Sequence, residues 1–269
     1  MNNTFGFIGC GNMGGSLATA VCKSVGSDKV FLADKNSATL DILADKLNCE
    51  KASSLEIAEK CKYIFLGVKP QVMSSALGEI KDTLRLRNDR FILVSMLAGT
   101  EISAIKEELG FDCPVIRIMP NTPVSVGQGM IVYSPDENVF MDEIGVFCES
   151  LKYAGDLDRI EEKLINAATA VSGCGPAFVY LFAEAMADAG VECGLPRKKA
   201  LQYATKTILG AGELLEKTSK SPGVLKDEVC SPAGSTIVGV HTLESGGFRG
   251  TVMSAVKSAY DKTNKLYFF

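Results

Sequence analysis

The chain has 269 residues, 46% of them hydrophobic and 22% charged, with a formal net charge of -4. That length and balance suit two domains, each able to bury a core. A net negative chain without a Lys/Arg stripe lacks the electrostatic footprint of a nucleic-acid binder, so no nucleic-acid partner is expected.

Over the first 160 residues, short apolar runs at 5–8, 30–33, 63–67, 91–95 and 115–118 alternate with amphipathic stretches. This is the pattern of a parallel sheet with helices on both faces. A further short strand is expected at 129–133, and a helix over 142–151 closes the domain. The most apolar run, 91–98, is too short to span a bilayer, and the first four residues lead into a strand without the parts of a signal peptide. No membrane partner and a cytoplasmic location are therefore expected.

From about residue 161 the alternation stops, and 162–170, 177–189, 196–217, 222–229, 236–244 and 248–265 all read as helices. Gly175-Pro176, Gly194-Leu195-Pro196, Ser221-Pro222-Gly223, Ser231-Pro232 and Gly246-Gly247 punctuate them. Pro196, Pro222 and Pro232 suit first-turn positions, where a missing N–H costs nothing. The expected fold class is α/β: an N-terminal Rossmann-type parallel-sheet domain over 1–160, then an all-α C-terminal domain over 161–269. The helices after residue 175 are rich in Ala and Gly, among them Ala183, Ala187, Gly210 and Ala211. So few bulky side chains bury little surface alone, which points to oligomerisation through the helical half.

Nine cysteines are spread along the chain without a C-x-x-C pair, and His241 is the only histidine. The reading is reduced, buried thiols and no metal site. His241 reads as a packed helix residue ahead of a catalytic one.

Gly9-Cys10-Gly11-Asn12-Met13-Gly14 is a G-x-G-x-x-G lying between a strand and a helix-like run, the context that makes the hexapeptide specific. Gly9 allows the tight turn, Gly11 lets the backbone approach a pyrophosphate, and Gly14 lets helix and strand pack closely. The helix N-terminus, entered through Asn12 and Met13, presents free N–H groups to the phosphates. Asp34, at the end of the second strand, stands where an acid accepts ribose hydroxyls, whereas the adjacent Lys35 could neutralise a 2′-phosphate. The choice between NAD(H) and NADP(H) stays open here. Val68, Lys69 and Pro70 follow the third strand end, where Lys69 either touches the cofactor or is a solvated loop lysine. Asn121, in Met119-Pro120-Asn121-Thr122-Pro123, either meets the nicotinamide carboxamide or belongs to a rigid turn.

In the second half, Val229-Cys230-Ser231-Pro232-Ala233-Gly234-Ser235-Thr236 gathers hydroxyls and glycine at a helix start, where successive N–H groups would hold a carboxylate. Ser231 and Thr236 are candidates for a small acid, though Ser and Thr serve more commonly as N-caps.

With these motifs in view, the sequence resembles the pyrroline-5-carboxylate reductase family. The likeness rests on Phe7-Ile8-Gly9, Gly11-Asn12-Met13, Val68-Lys69-Pro70, Pro120-Asn121-Thr122-Pro123 and Ser172-Gly173-Cys174-Gly175-Pro176-Ala177-Phe178. It is most specific from Asp227 to Ile237 and from Leu243 to Arg249. The resemblance implies NAD(P)H-dependent reduction of L-1-pyrroline-5-carboxylate to L-proline, with NADP(H) favoured over NAD(H). It implies homodimers interlocked through the helical halves, assembled further into rings, with each active site at the dimer interface. It also implies that Ser231 and the backbone at Gly234 and Ser235 hold the substrate carboxylate, and that Thr236 sets its hydroxyl against the ring nitrogen as the catalytic residue. The chain departs from the family in Cys174, where serine is common, and in Ala233, where glycine is common. Ala233 raises the question of whether that loop keeps its backbone angles.

Three rivals bear weighing. A β-hydroxyacid dehydrogenase needs a lysine on the helix after its Gly-rich interdomain turn, and residues 177–190 contain none. A non-catalytic NAD(P)H sensor has no need of a carboxylate site. A reductase of six-membered cyclic imine acids differs only in pocket size.

Overall fold

The computed structural model describes residues 3–265, which fall into two compact units. One runs to Cys174 and resumes at Ala259, and the other is Gly175–Ser258. The first unit thus continues past residue 160, the expected end of the sheet domain.

The first unit is built on eight strands, β1–β8: Phe5–Ile8, Val30–Ala33, Glu50–Lys51, Tyr63–Leu66, Ile92–Ser95, Val115–Met119, Gly129–Pro135 and Gly155–Arg159. They form one sheet in the order β3-β2-β1-β4-β5-β6-β7-β8. All pairings are parallel except β6 with β7. The order reverses at β1, and the crevice at the strand ends there is where open sheets of this kind bind ligands.

Six helices cover this sheet: α1 Asn12–Val25, α2 Ser37–Leu47, α3 Ser54–Lys60, α4 Met73–Leu86, α5 Ile102–Leu109 and α6 Met141–Ser150. Local chemistry sets their limits. The Asn36 side chain accepts from the Thr39 N–H to start α2, and Ser53 with Glu56 forms a reciprocal capping box on α3. Asn48 and Gly110 end α2 and α5 in the left-handed conformation that suits a helix C-cap.

Because side chains alternate across a strand, the sheet has two cores. Phe5, Phe7, Tyr63, Phe65, Val94 and Ile118 pack beneath α1 and α6, while Ile8, Ile64, Leu66, Leu93 and Val115 pack beneath α3, α4 and α5.

Two strands lie outside the sequence expectation. β3 is two exposed residues, and β8, Gly-Asp-Leu-Asp-Arg, carries no buried position. An edge strand needs no apolar run, so neither left a signal. The helix expected at 162–170 is a composite: a 3-10 turn at Glu162–Leu164, one helical turn at Ile165–Ala168 (α7) and a π turn at Thr169–Gly173. The buried guanidinium of Arg117 on β6 anchors its start, donating to Glu162 at 3.2 Å and Asn166 at 2.8 Å.

The second unit carries α8 Gly175–Glu192, α9 Arg197–Thr218, α10 Pro222–Glu228, α11 Ser235–Ser245 and most of α12 Phe248–Thr263. Its buried apolar cluster is Ala187, Ala200 and Ala204, with Met186 and Val191 against it. Large apolar residues such as Tyr180, Leu181, Leu209 and Met253 are more than half exposed. Of the prolines expected in first turns, Pro222 opens α10, Pro196 sits at the N-cap of α9, and Pro232 lies in a turn before α11. By length and composition the stretch Glu162–Glu192 could cross a membrane, unlike the 91–98 run. It is not one continuous α-helix, because the π turn interrupts it ahead of α8.

Glu143, almost fully buried at the start of α6, ties the first unit together. Arg90 donates to its two oxygens at 2.6 and 2.9 Å, the Phe140 N–H donates at 3.0 Å, and Lys62 lies 3.9 Å away. Burial pushes the Glu143 carboxyl up, but the Arg90 and Phe140 hydrogen bonds outweigh it and hold the group below its ordinary range. A depressed folded-state value means the stabilisation is complete above the unfolded carboxylate pKa and is lost as pH falls through the folded one. Glu143→Gln should therefore cost about 2 kcal/mol at neutral pH, less than a fully buried pair because Arg90 stays partly in water. In urea titrations the gap between variant and wild type should shrink on acidification; a constant gap would rule out the charge as its source.

Candidate active site

β1 ends at Ile8, and the chain turns at Gly9 with φ +98°. The Gly9 N–H donates to Ala33 O and the Gly67 N–H to Ile8 O, both at 2.8 Å, so the turn hangs between β2 and the end of β4. A Cβ on Gly14 would lie 2.0 Å from Gly9 O, and one on Gly67 would lie 2.5 Å from the same oxygen. Real side chains never approach so closely, so both positions require glycine. Sequence reasoning identified Gly9 and Gly14 but missed Gly67 as their partner; a strand-ending glycine just before Val68-Lys69-Pro70 was the available signal.

Gly11 differs. Its φ is -64°, and a Cβ built there would meet nothing within 4 Å. It is the N-cap of α1, no side chain caps that helix, and its first turn holds no acid. Asn12 and Met13 open the helix. A free N-terminus beneath an open glycine is a cradle for a dinucleotide phosphate, so these residues fit such a cofactor.

Asp34 follows β2 and leans back onto the loop. Its Oδ2 accepts from the Cys10 N–H at 2.6 Å and its Oδ1 from the Asn36 N–H at 2.8 Å. A carboxylate has lone pairs left after two bonds, so ribose hydroxyls could still donate to it. Lys35 is exposed beside it. Burial, helped by the Asp34 charge, pushes the Cys10 thiol up to about 12, so it is no nucleophile at neutral pH.

Val68, Lys69 and Pro70 leave β4 next to the glycine turn, where the Val68 N lies 3.1 Å from a Cβ built on Gly9. Lys69 is exposed, and Pro70 opens a 3-10 turn. Asn121, beyond β6, uses both ends of its amide within the protein: Nδ2 donates to Ser172 O at 3.0 Å and Oδ1 accepts from the Met130 N–H at 2.9 Å. These bonds describe a clip that fixes the loop.

In the second unit Ser231 O accepts from the Gly234 N–H at 3.0 Å, closing a turn with Pro232 second and Ala233 third. Ala233 has φ +59°. Proline followed by a positive φ is the signature of a type II turn, whose third position normally takes glycine. The substitution of alanine thus leaves the turn in place with a strained residue. Gly234 is the N-cap of α11, and no side chain caps that helix. Ser231, Ser235 and Thr236 are exposed around it, and among the described residues their hydroxyls have no partner. The capping role open to Ser231 and Thr236 in sequence is taken by neither. His241, on the same helix, is exposed where a packed residue was expected.

The glycine-loop candidates, Asp34, Lys35 and the Val68–Pro70 group therefore gather at one end of the sheet in the first unit, with Asn121 at the end of β6. Ser231, Gly234, Ser235 and Thr236 gather at the start of α11 in the second.

Residues 162–266 match the family described as pyrroline-5-carboxylate reductase dimerisation, and residues 4–99 match the family described as NADP oxidoreductase coenzyme F420-dependent. The chain is similar to a pyrroline-5-carboxylate reductase of Arabidopsis thaliana, 38% identical over 97% of this chain and 94% of that protein. It is also similar to one of Escherichia coli, 36% identical over 99% of both. Among solved structures it is similar to a Plasmodium falciparum pyrroline carboxylate reductase with NADP bound, with a TM-score of 0.86, 34% identity and coverage of 98% of this chain and 97% of that one.

The two kinds of glycine give opposite expectations. Gly11→Ala should leave the melting temperature unchanged while weakening NADPH binding about tenfold or more, roughly 1.4 kcal/mol, in a fluorescence titration. Gly14→Ala should lower the melting temperature before any cofactor is added. If Gly11→Ala bound NADPH normally, the open face of that residue would not be the phosphate site. Separately, Ala233→Gly relieves about 1 kcal/mol of left-handed strain and gives back a similar amount in unfolded-chain entropy. Its urea midpoint should match or exceed wild type; a clear fall would contradict the positive φ.

Proposed function

The chain belongs to the pyrroline-5-carboxylate reductase family, and from that premise we propose how its residues divide the work. The reaction is hydride transfer from NAD(P)H to the C=N bond of L-1-pyrroline-5-carboxylate, giving L-proline, the last step of proline biosynthesis. The bound dinucleotide supplies the hydride.

In our reading, residues 1–160 bind the cofactor and the helical remainder, 161–269, binds substrate and forms the dimer. Gly9, Gly11 and Gly14 shape the phosphate loop, and the amides opening α1 at Asn12 and Met13 face the phosphates. Asp34 and Lys35 would meet the adenosine ribose, Val68, Lys69 and Pro70 would help hold the dinucleotide, and Asn121 fixes the neighbouring loop. NADP(H) is the favoured cofactor, with NAD(H) also accepted. In the second unit the N–H groups of Gly234 and Ser235, with the Ser231 hydroxyl, hold the substrate carboxylate. Thr236 places its hydroxyl against the ring nitrogen. The imine can carry its proton before hydride arrives, so the protein needs to orient and hold charge more than to supply a strong acid. The observation that carries this assignment is the uncapped start of α11, which offers amides and unpartnered hydroxyls together.

The dehydrogenase alternative would need a lysine on the helix after the Gly-rich turn, and α8 contains none.

The protein is a homo-oligomer acting on a small molecule. We assign the dimer contact to the apolar groove of about 790 Å³ between α8 and α9, lined by Tyr180, Leu181, Ala183, Leu201 and Leu209. A unit whose core is three alanines has little stability without such a partner. Rings of these dimers are the further assembly we propose. A cytoplasmic setting suits nine free thiols.

Oxidation of NADPH and NADH followed with pyrroline-5-carboxylate tests the whole assignment; cofactor binding without turnover would overturn it in favour of the sensor. Thr236→Ala should lower kcat about a hundredfold while the Kd for NADPH stays within twofold. An unchanged kcat would remove Thr236 from the mechanism. Leu209→Glu should convert dimers into monomers in sedimentation, and an intact dimer would move the interface elsewhere.

A further inference from the structure

Cys22 lies in the last turn of α1, and Cys49 lies on the short connection between α2 and β3. Their sulfurs are 3.2 Å apart, closer than two unbonded sulfurs normally sit. Both residues are half-buried, so a small oxidant can reach them. The surroundings hold the two chain segments together. Gly26 ends α1 with φ +94°, Asn48 ends α2 with φ +53°, Ser27 Oγ donates to Leu47 O at 2.6 Å, and the Cys49 N–H donates to Ala44 O at 3.1 Å. Among the described residues no other two thiols touch.

We propose that Cys22 and Cys49 form a reversible dithiol–disulfide couple, oxidised by hydrogen peroxide, that clamps α1 to the end of α2. Either sulfur can open the reaction, because in their contact either one can be the hydrogen-bond donor. Its thiolate attacks one oxygen of hydrogen peroxide, the O–O bond breaks, and the departing hydroxide takes a proton to become water. That cysteine is then a sulfenic acid. The second sulfur attacks it, the S–O bond breaks, and the released hydroxide leaves with the second thiol's proton as a second water. Two thiols lose two electrons and two protons, and the peroxide is reduced. Closing the pair needs a movement of only about 1 Å, within the reach of side-chain rotation.

The couple is remote from the chemistry. Cys22 sits about 15 Å along α1 from the helix start that faces the phosphates. Cross-linking positions 27 residues apart chiefly restricts the unfolded chain, so oxidation should make the sheet unit harder to unfold and leave turnover alone.

The full-length protein treated with hydrogen peroxide should lose about 2 Da in intact mass and lose two titratable thiols, both restored by dithiothreitol. Peptide mapping should join Cys22 to Cys49, and the melting temperature should rise by about 5 °C or more. Cys22→Ser and Cys49→Ser should each form no cross-link and leave on the remaining thiol a sulfenic acid that dimedone traps, and both should retain wild-type kcat. A peroxide-treated protein that gains oxygen without a cross-link, a disulfide mapped to other cysteines, or a cross-link persisting in Cys49→Ser would each overturn the proposal.

Discussion

The carbonyl oxygen of Gly9 is the point around which the cofactor half is assembled. Two glycines from separate segments, Gly14 of α1 and Gly67 beyond β4, approach it more closely than any side chain allows. That contact brings the ends of β1 and β4 together with the first turn of α1 and sets where the helix N-terminus points. The neighbouring layers of the sheet reinforce the same register. Phe5 stacks on Tyr63 at 5.0 Å and Phe7 on Phe65 at 4.4 Å, one pair above the other across β1 and β4. Each such pair adds about 1 kcal/mol beyond its area burial. The aromatic ladder supplies stability, and the glycines supply the space that a phosphate-binding helix start requires.

The two units solve the problem of burial differently. The sheet unit fills both of its faces with bulky side chains and needs no partner to do so. The helical unit hides three alanines and leaves Tyr180, Leu181 and Leu209 in view. Small residues on α8 and α9 let the two helices approach closely, as with Gly190 against Ala200, but close approach consumes the volume that a core would occupy. The large side chains are displaced outward, where only another surface can cover them. Dimerisation is on this account part of folding for the helical unit and not an addition to a finished fold.

Much of the sheet unit was legible because its signals are local. β1 and β2 coincide with their apolar runs, and the glycine loop announces itself by spacing. What escaped notice depends on contacts distant in sequence. Gly67 matters through an oxygen on Gly9, and β8 is held as an edge strand by pairing with β7 despite a polar sequence. The segment 162–173 looked like a regular helix in its pattern, yet Arg117 on a distant strand grips its first turns. In the second unit, Ser231 and Thr236 carried two local explanations, of which the N-cap was the favoured one. The structure gives the cap position to Gly234, so neither hydroxyl caps α11. The positive φ of Ala233 was an open question in sequence, since alanine could have signalled a different turn as readily as a strained one.

Asp34 links these themes to cofactor choice. An acid at the end of β2 is commonly read as a ribose ligand, but here one carboxylate oxygen already braces the glycine loop through Cys10 and the other holds the Asn36 N–H at the start of α2. Its removal would loosen the loop for either dinucleotide, so equal losses with NADH and NADPH would not exclude a ribose contact. On the proposed assignment the discriminating charge is that of Lys35, which is exposed next to Asp34. A 2′-phosphate adds negative charge, which Lys35 attracts and Asp34 repels. Two backbone hydrogen bonds hold Asp34 in place, so on that assignment the extra phosphate would lie on the lysine side. On that assignment, preference between the two cofactors is a balance between an acid held by backbone bonds and an exposed base beside it.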